Sequence, residues 1–567
     1  MTPKTLSLTS FSPSLPHQFK IPKFFNHPGR AIIICKPINS QPQQQNPPDF
    51  QPQLSVSVSE SQGSGPAAPT RGDIFLERQK LLAASSLVIE RKKKKKEKKT
   101  SGSLKAATFC CYGCGAPLQI LETDGPGYVD PETYELKKKH RQLKTILCGR
   151  CRLLSHGHMV TAVGGNGGYA GGKQFVTAEE LREKLRHLRN EKALIVKLVD
   201  IVDFNGSFLA HLKPIFNLCY FFFIMFMLMK VDLLPKGTDF NCVGDWVVEA
   251  TTRKKLNVLS VHLTSSKSLV GITGVVSEIQ KEKKGRDVYI LGAANVGKSA
   301  FINAMLKMLS YKDPVAAMAR KYKPIQSAVP GTTVGPIQIN AFLGGGKVYD
   351  TPGVHLHHRQ AAVVHSQDLP ALAPRSRLRG QSFTKEVVLD QWVSEKMEFN
   401  SLAGFSIFWG GLVRIDVLKV LPETSLTFYG PKAVKLHIVP TNKADEFYKK
   451  ELGVLLTPPS GEQVEDWAGL ETARQLRIKF DDTKRPACDV AISGLGWITV
   501  EPVSQTLGEP DSNLVQEAMS ISLDVHVPKA VEIFVRPPLP VGKLGGEWYQ
   551  YRDLTEKEEE TRPKWYF

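Results

Sequence analysis

Acidic residues are missing from the start of this chain. None of the first 48 residues is Asp or Glu, whereas Ser, Thr and Pro are abundant and Lys4, Lys20, Lys23, Arg30 and Lys36 supply positive charge. No apolar core of secretory length precedes Ala31, and AIIIC is too short to be one, so a secretory leader is excluded. The pattern fits an organellar transit peptide over residues 1–55. It is plastid-like rather than mitochondrial, because Ser and Pro dominate and Arg is scarce. A chloroplast stromal location is expected, with the mitochondrion as the second choice. Pro/Gln-rich sequence and then RKKKKKEKK at 91–99 mark 56–105 as a disordered basic linker. Long apolar runs are also scarce. PIFNLCYFFFIMFMLM, the 16 uncharged residues between Lys213 and Lys230, falls short of the ~20 that cross a bilayer. It reads as a buried strand, and no integral membrane span is expected.

What the chain does have is positive charge. The net charge is +19, and residues 1–105 alone hold 17 Lys and Arg against 6 Asp and Glu. Such an excess favours polyanionic partners, RNA or an anionic membrane surface. At 567 residues the chain is too long for one core and implies roughly three domains plus tails.

Nine cysteines are present. Cys35, Cys219, Cys242 and Cys488 are scattered and read as core or tail thiols. The others form CCYGC and CGRC, with 33 residues between Cys114 and Cys148. Each Cys-x-x-Cys knuckle turns two thiolates to one side, so Cys111, Cys114, Cys148 and Cys151 make a tetrahedral, closed, structural zinc site over a module at 106–165. Cys110 is spare.

RDVYILGAANVGKSAFINAMLKML (286–309) gives a strand, then Gly292-x₄-Gly297-Lys298-Ser299, then an amphipathic helix. That is the context a phosphate-binding loop requires. Backbone N–H groups across Gly292, Asn295, Val296, Gly297 and Ala300 and the helix N-terminus would wrap phosphates. Lys298 would reach the β/γ oxygens, and Ser299 would ligate magnesium. VPGTTVGPIQI (329–339) supplies a first switch, with Thr333 or, alternatively, Thr332 completing the magnesium shell. GKVYDTPGVHL (346–356) ends a strand at Asp350, which can hold magnesium through water, and offers the Gly353 N–H to the γ-phosphate.

Two stretches compete as the guanine reader. Asn442-Lys443-Ala444-Asp445 follows the phosphate loop but lacks a good base-binding loop after it. Lys230-Val231-Asp232 precedes the phosphate loop and is followed by Ser265-Ser266-Lys267 in the right form. The upstream pair is the coherent one, so Lys230, Asp232, Ser265, Ser266 and Lys267 are expected at the base. The order then identifies an α/β, circularly permuted P-loop GTPase domain, placed at 176–380. One defect stands out: Met229 occupies the position before Lys230 where Asn or Thr is wanted. The Phe/Met-rich character of about 213–229 suggests a wrongly joined exon, with the reading frame resuming at Lys230. A genuine Met229 is expected to weaken GTP affinity.

The permuted order, the CYGC…CGRC knuckles, the GAANVGKS loop, PGTT and DTPG together resemble the YqeH-type permuted GTPases over about residues 108–567. LVDIVDFNGSFL (198–209), QSAVPGTT (326–333), YDTPGVHLHHRQ (349–360) and WGGLVRIDVLKVLPET (409–424) bring the resemblance nearest to the plant plastid, pale-green branch of that family. The resemblance implies ribosome biogenesis on ribosomal RNA or a pre-ribosomal subunit. It also implies GTP and magnesium as cofactors, structural zinc, and potassium coordinated by Asn295. Val354 stands where other GTPases carry a water-orienting Gln, so hydrolysis should be slow without a cation or an RNA partner. Lys298, Asn295, Thr333 and Gly353 are the expected catalytic groups. A nucleotide-gated scaffold with little hydrolysis is the alternative. No stretch resembles a haem or flavin oxidase.

Residues 385–567 alternate apolar and polar positions, as in SIFWGGLVRIDVL, DVAISGLGWITV and VEIFVRP, and so predict a mainly β domain. The resemblance makes it an RNA-binding-like module. Trp409, Arg414, Phe428 and Trp497 are then either RNA-stacking groups or, the commoner fate, core.

Overall fold

The computed structural model describes residues 109–567 except 124, 157–175, 210–222, 255, 257, 328–330, 388–400, 422–423, 480–484, 503–519 and 550–553. The expected transit peptide, the basic linker and most of the 213–229 segment lie outside the described residues.

A seven-stranded sheet forms the centre of the chain. Its members are β1 (Ala193–Asp200), β2 (Phe223–Met229), β3 (Ser260–Leu263), β4 (Asp287–Gly292), β5 (Ile337–Ile339), β6 (Val348–Asp350) and a strand from the chain's end, β17 (Lys564–Tyr566). Their order is β17-β3-β2-β1-β4-β6-β5, parallel except for β5 against β6. β1 is buried along its whole length and β4 along all but its first residue. Near-continuous apolar runs are what a sheet covered on both faces needs. The last seven residues of the FFFIMFMLM run are therefore a core strand in register with both neighbours. Helices α4 (Phe240–Arg253), α5 (Ile272–Lys283) and α6 (Lys298–Leu309) follow β2, β3 and β4. In front of them lie α1 (Pro131–Lys139) and α2 (Gly149–Ser155) of the cysteine module, and α3 (Ala178–Lys184).

The arrangement shows the permutation directly. β4 carries the phosphate loop and sits between β1 and β6, although β1, β2 and β3 precede it in the chain. Every loop that bears a predicted nucleotide-site residue, apart from the one before β5, leaves the C-terminal end of a parallel strand. Those ends share one edge, where ligands bind in open α/β sheets.

The C-terminal part is mainly β. Two five-stranded antiparallel sheets pack around a second core. One is ordered β16 (Ile533–Arg536), β13 (Cys488–Ile492), β14 (Gly496–Pro502), β10 (Thr424–Tyr429), β7 (Gln381–Phe383). The other is ordered β11 (Leu436–Pro440), β8 (Phe405–Trp409), β9 (Val413–Lys419), β15 (Ser520–His526), β12 (Arg474–Lys479). Trp409, Phe428 and Trp497 are 1%, 2% and 0% exposed. They are core, and none presents a face on which a base could stack. Arg414 is held between Asp416, at 2.7 Å, and Asp445.

The last residues return to the first sheet. Trp565 stacks over Gly244, Arg562 pairs with Asp245, and Tyr566 stacks on His262 at 5.0 Å. Burial takes the His262 imidazole down to about 4, from about 6.5 when unfolded. Its folded pKa is depressed, so its contribution is fully present above pH 6.5 and is lost as pH falls toward 4. At pH 5 that loss is about 2 kcal/mol. Urea midpoints should fall between pH 7.5 and pH 5, and His262→Phe, which keeps the ring stack, should shrink that fall by about this amount. An identical pH dependence in the variant would remove His262 as the cause.

Candidate functional site

The phosphate loop turns sharply because two of its residues have left-handed backbone, Asn295 at φ +63° and Gly297 at φ +103°. Lys298, first residue of α6, is 6% exposed and donates to the carbonyls of Gly292 (3.1 Å) and Ala293 (2.7 Å). Burial pulls its ammonium down to about 8, against the attraction of Asp350. Ser299 donates to Asp350 Oδ2 at 2.8 Å. Burial pushes the Asp350 carboxyl up to about 6, opposed by Lys298 and by hydrogen bonds from Ser299 and Thr333. Thr333 is the switch-one hydroxyl that acts on this carboxyl.

The predicted magnesium set of Ser299, Thr333 and Asp350 is thus brought together. Asp350 Oδ1 is buried and has no partner among the described residues. A buried, orphaned carboxylate oxygen beside two hydroxyls fits a hard cation with oxygen ligands.

Gly353 sits directly against the loop. A Cβ there would lie 2.8 Å from Ala294 Cα and 3.0 Å from Lys298 Nζ. Val354 bridges to Ala293 and to Val176 and is fully buried. Its side chain is part of the packing that closes the loop from behind, which suits a residue that orients no water. Arg359, which the sequence did not single out, links three elements. It donates to Asp203 (2.7 Å) and to the Ala294 carbonyl (2.8 Å). Its only sequence signal is its place nine residues after Asp350.

An adjoining cavity of about 680 Å³ is lined by Met229, Lys230, Asp232, Ser265, Ser266, Lys267, Val296, Gly297 and Ala300, among others. The upstream pair is therefore assembled beside the phosphate loop, as expected. Ser265 accepts from the N–H groups of Lys267 (3.2 Å) and Ser268 (3.1 Å), which fixes the base loop. Lys230 reaches Asp200 at 2.5 Å. The competing downstream motif lies in the C-terminal part, where Asp445 is paired with Arg414.

Met229 stands between the two loops, where Asn or Thr would tie them. Its sulfur accepts from the Thr264 hydroxyl at 3.2 Å, and a Cβ added at Gly297 would lie 3.8 Å from its Cε. The thioether is thus bonded on the base-loop side, and both Met229 and Gly297 line the cavity between the loops.

In the cysteine module, Cys111, Cys114, Cys148 and Cys151 are all buried, and their sulfurs lie within 4.8 Å of one another. Cys114 and Cys148 sulfurs are 3.9 Å apart. A tetrahedral ion with bonds of about 2.3 Å would set its sulfurs about 3.8 Å apart, so these four could hold zinc. Cys110 is exposed and outside the cluster.

Comparison with known proteins agrees with this geometry. Residues 287–378 match the family described as 50S ribosome-binding GTPase, and residues 423–509 match the one described as YqeH-like, C-terminal. The chain is 64% identical over 542 residues to "NO-associated protein 1, chloroplastic/mitochondrial" of Arabidopsis thaliana, covering 94% of each chain. It is 29% identical over 429 residues to YqeH of Bacillus subtilis, covering 76% of this chain and 98% of that one.

The chain belongs to the YqeH-like GTPase family.

The plastid GTP-binding protein brassinazole insensitive pale green 2 of Arabidopsis thaliana is 28% identical over 325 residues, covering 54% of this chain and 45% of that one. The protein is a GTPase, and its chemistry takes GTP with magnesium. Among the described residues no helix is long and apolar enough to cross a membrane.

The Met229 contacts make a direct prediction for this GTPase. Met229→Ala should weaken GDP binding about tenfold, because the base-loop side loses the sulfur bonded to Thr264 and the cavity between the loops loses a wall. Met229→Asn should bind at least as tightly as the natural protein. Fluorescent-GDP titration reads both, and unchanged affinity in the alanine variant would refute this role of Met229.

Proposed function

We propose that this GTPase is a ribosome-biogenesis factor of the chloroplast stroma. It binds ribosomal RNA or a pre-ribosomal subunit and supports rRNA processing and chloroplast translation. One observation carries the reading: a GTPase domain of the ribosome-binding type has its second switch bonded to another unit of the chain. The Gln360 N–H donates to the Ser493 carbonyl (2.9 Å), and the Glu532 N–H donates to the His358 carbonyl (3.1 Å). Whatever nucleotide turnover does to the segment after Gly353 is thereby felt by the unit that matches the YqeH-like C-terminal family. The names of two relatives, one chloroplastic/mitochondrial and one chloroplastic, and the acid-free, Ser/Pro-rich N-terminus support the location.

The roles follow from position. Backbone N–H groups of Gly292, Asn295, Val296, Gly297 and Ala300 receive the phosphates, and Lys298 leaves its two carbonyls for the β/γ oxygens. Ser299, Thr333 and Asp350 hold magnesium, which when bound neutralises charge between the β- and γ-phosphates. The Gly353 N–H faces the γ-phosphate. Lys230, Asp232, Ser265, Ser266 and Lys267 read guanine. Asn295 coordinates potassium, and the four cysteines hold structural zinc. The working units are 106–165, 176–380 and 385–567, with 564–566 returning to the nucleotide sheet and 381–383 adding an edge strand to a C-terminal sheet.

The test is GTP turnover by the full chain in potassium or sodium, with and without plastid ribosomal subunits. Turnover should rise at least about tenfold with subunits in potassium, and excess ATP should not compete. A rate indifferent to subunits would overturn the ribosomal reading in favour of a scaffold, and effective ATP competition would overturn the guanine assignment.

A further inference from the structure

The cysteine module does more than lie beside the GTPase domain. The Cys114 carbonyl accepts from the N–H groups of Val334 (2.8 Å) and Gly335 (3.1 Å), and the Gly113 carbonyl accepts from that of Ile325 (3.2 Å). Arg150, between Cys148 and Cys151, donates to the Gly331 carbonyl at 2.7 Å. Gly115 and Gly335 meet backbone to backbone. A Cβ on Gly115 would lie 2.2 Å from the Gly335 oxygen, and one on Gly335 would lie 2.4 Å from the Gly115 oxygen. Ile325 and Val334 pack against the thiol cluster itself. Tyr112 meets Tyr322 edge-on at 5.5 Å.

These contacts bracket Thr332 and Thr333. Gly331 is fixed on one side and Val334–Gly335 on the other, and both threonines between them are buried. Switch segments are ordinarily among the least stable parts of a GTPase, because they carry few contacts of their own. Here the segment is anchored to two knuckles whose geometry a closed metal site would fix.

We propose that the cysteine module is a brace for switch one, and that Arg150 and the Cys114 carbonyl are positioning groups for Thr333 at the magnesium site. The metal-dependent half of this rests on the reading of the four cysteines as a zinc site; the Arg150 contact does not. Zinc loss then loosens the switch-one threonines while leaving the phosphate loop, which is held between β4 and α6, in place. Turnover becomes sensitive to the docking of a module that contributes no atom to the reacting groups.

Two measurements on the full chain test this. In the first, amide hydrogen exchange is followed in the magnesium–GDP form before and after a zinc-selective chelator, with zinc content measured alongside. Exchange at 331–335 should speed up at least about tenfold, with 299–305 unchanged. Unaltered exchange at 331–335 after zinc has left would overturn the brace, whereas a chain that carries no zinc as purified would overturn the zinc reading alone. In the second, Arg150→Ala should keep its zinc and hold GDP affinity within about twofold. It should need about tenfold more magnesium for half-maximal turnover, with Arg150→Lys recovering most of the difference. A magnesium response identical to that of the natural protein would overturn the positioning role whether or not zinc is found.

Discussion

Asp350 is wholly out of water, and its Oδ1 has no partner among the described residues. Holding a charged oxygen that way costs several kcal/mol unless a cation faces it. Much of the site is arranged around this cost. β6 ends at Asp350 so that its carboxylate meets the first turn of α6. Ser299 satisfies the other oxygen, and Thr333 closes in from switch one. Lys298 lends charge, yet its hydrogen bonds go to carbonyls of its own loop. An ammonium held by two carbonyls is readily handed to a phosphate, because a charge-assisted bond to phosphate is stronger than one to a neutral carbonyl. The absence of a side chain at Gly353 belongs to the same economy of space: any Cβ there would push on Ala294 or Lys298.

Permutation leaves this chemistry untouched, because a sheet is defined by which strands are bonded and not by where the chain begins. It changes what is joined to what. In this chain the strand of switch two is the last of the nucleotide sheet before the C-terminal unit, and β7 of that unit begins at Gln381. The segment that responds to the γ-phosphate is thus also the tether to another folded body. At the other end the chain enters β1 through the cysteine module and α3, and Lys184 of α3 bonds the Val334 carbonyl. Both switches are therefore in contact with what lies outside the nucleotide sheet.

Much of the site was legible in the sequence because phosphate and guanine recognition depend on short contiguous runs: GAANVGKS, DTPG, the Lys230–Asp232 stretch and the paired knuckles. The β hairpins of the C-terminal part were legible in SIFWGGLVRIDVL and DVAISGLGWITV, where alternation and central glycines agree. What could not be read depends on distance in sequence. Arg359 meets Asp203 across 156 residues, Arg150 meets Gly331 across 181, and β17 pairs with β3 from the far end of the chain. No local pattern encodes these pairings. Met229 marks a different limit. The rule for that position specifies a side-chain amide or hydroxyl, whereas the structure places there a sulfur bonded to a neighbouring threonine.

The coupling between switch two and the C-terminal unit runs through charges that have nowhere else to go. Arg359 holds Asp203 and the Ala294 carbonyl of the phosphate loop. Asp203 also accepts from the Gly494 backbone, and burial raises its pKa despite Arg359. Close by, Arg536 is buried between the rings of Trp246 and Trp497 and paired with Asp489 at 3.2 Å. Burial pushes Asp489 up to about 6 against that pairing. Removing one partner of such a pair strands the other charge and costs about 3–5 kcal/mol. Arg359 therefore cannot follow a moving switch two and leave Asp203 behind. Either the whole bonded group moves, carrying the Ser493–Gly494 turn with it, or the switch stays. Networks of this kind favour discrete alternatives over gradual deformation. That is the property required if one phosphate is to be sensed by the C-terminal β domain.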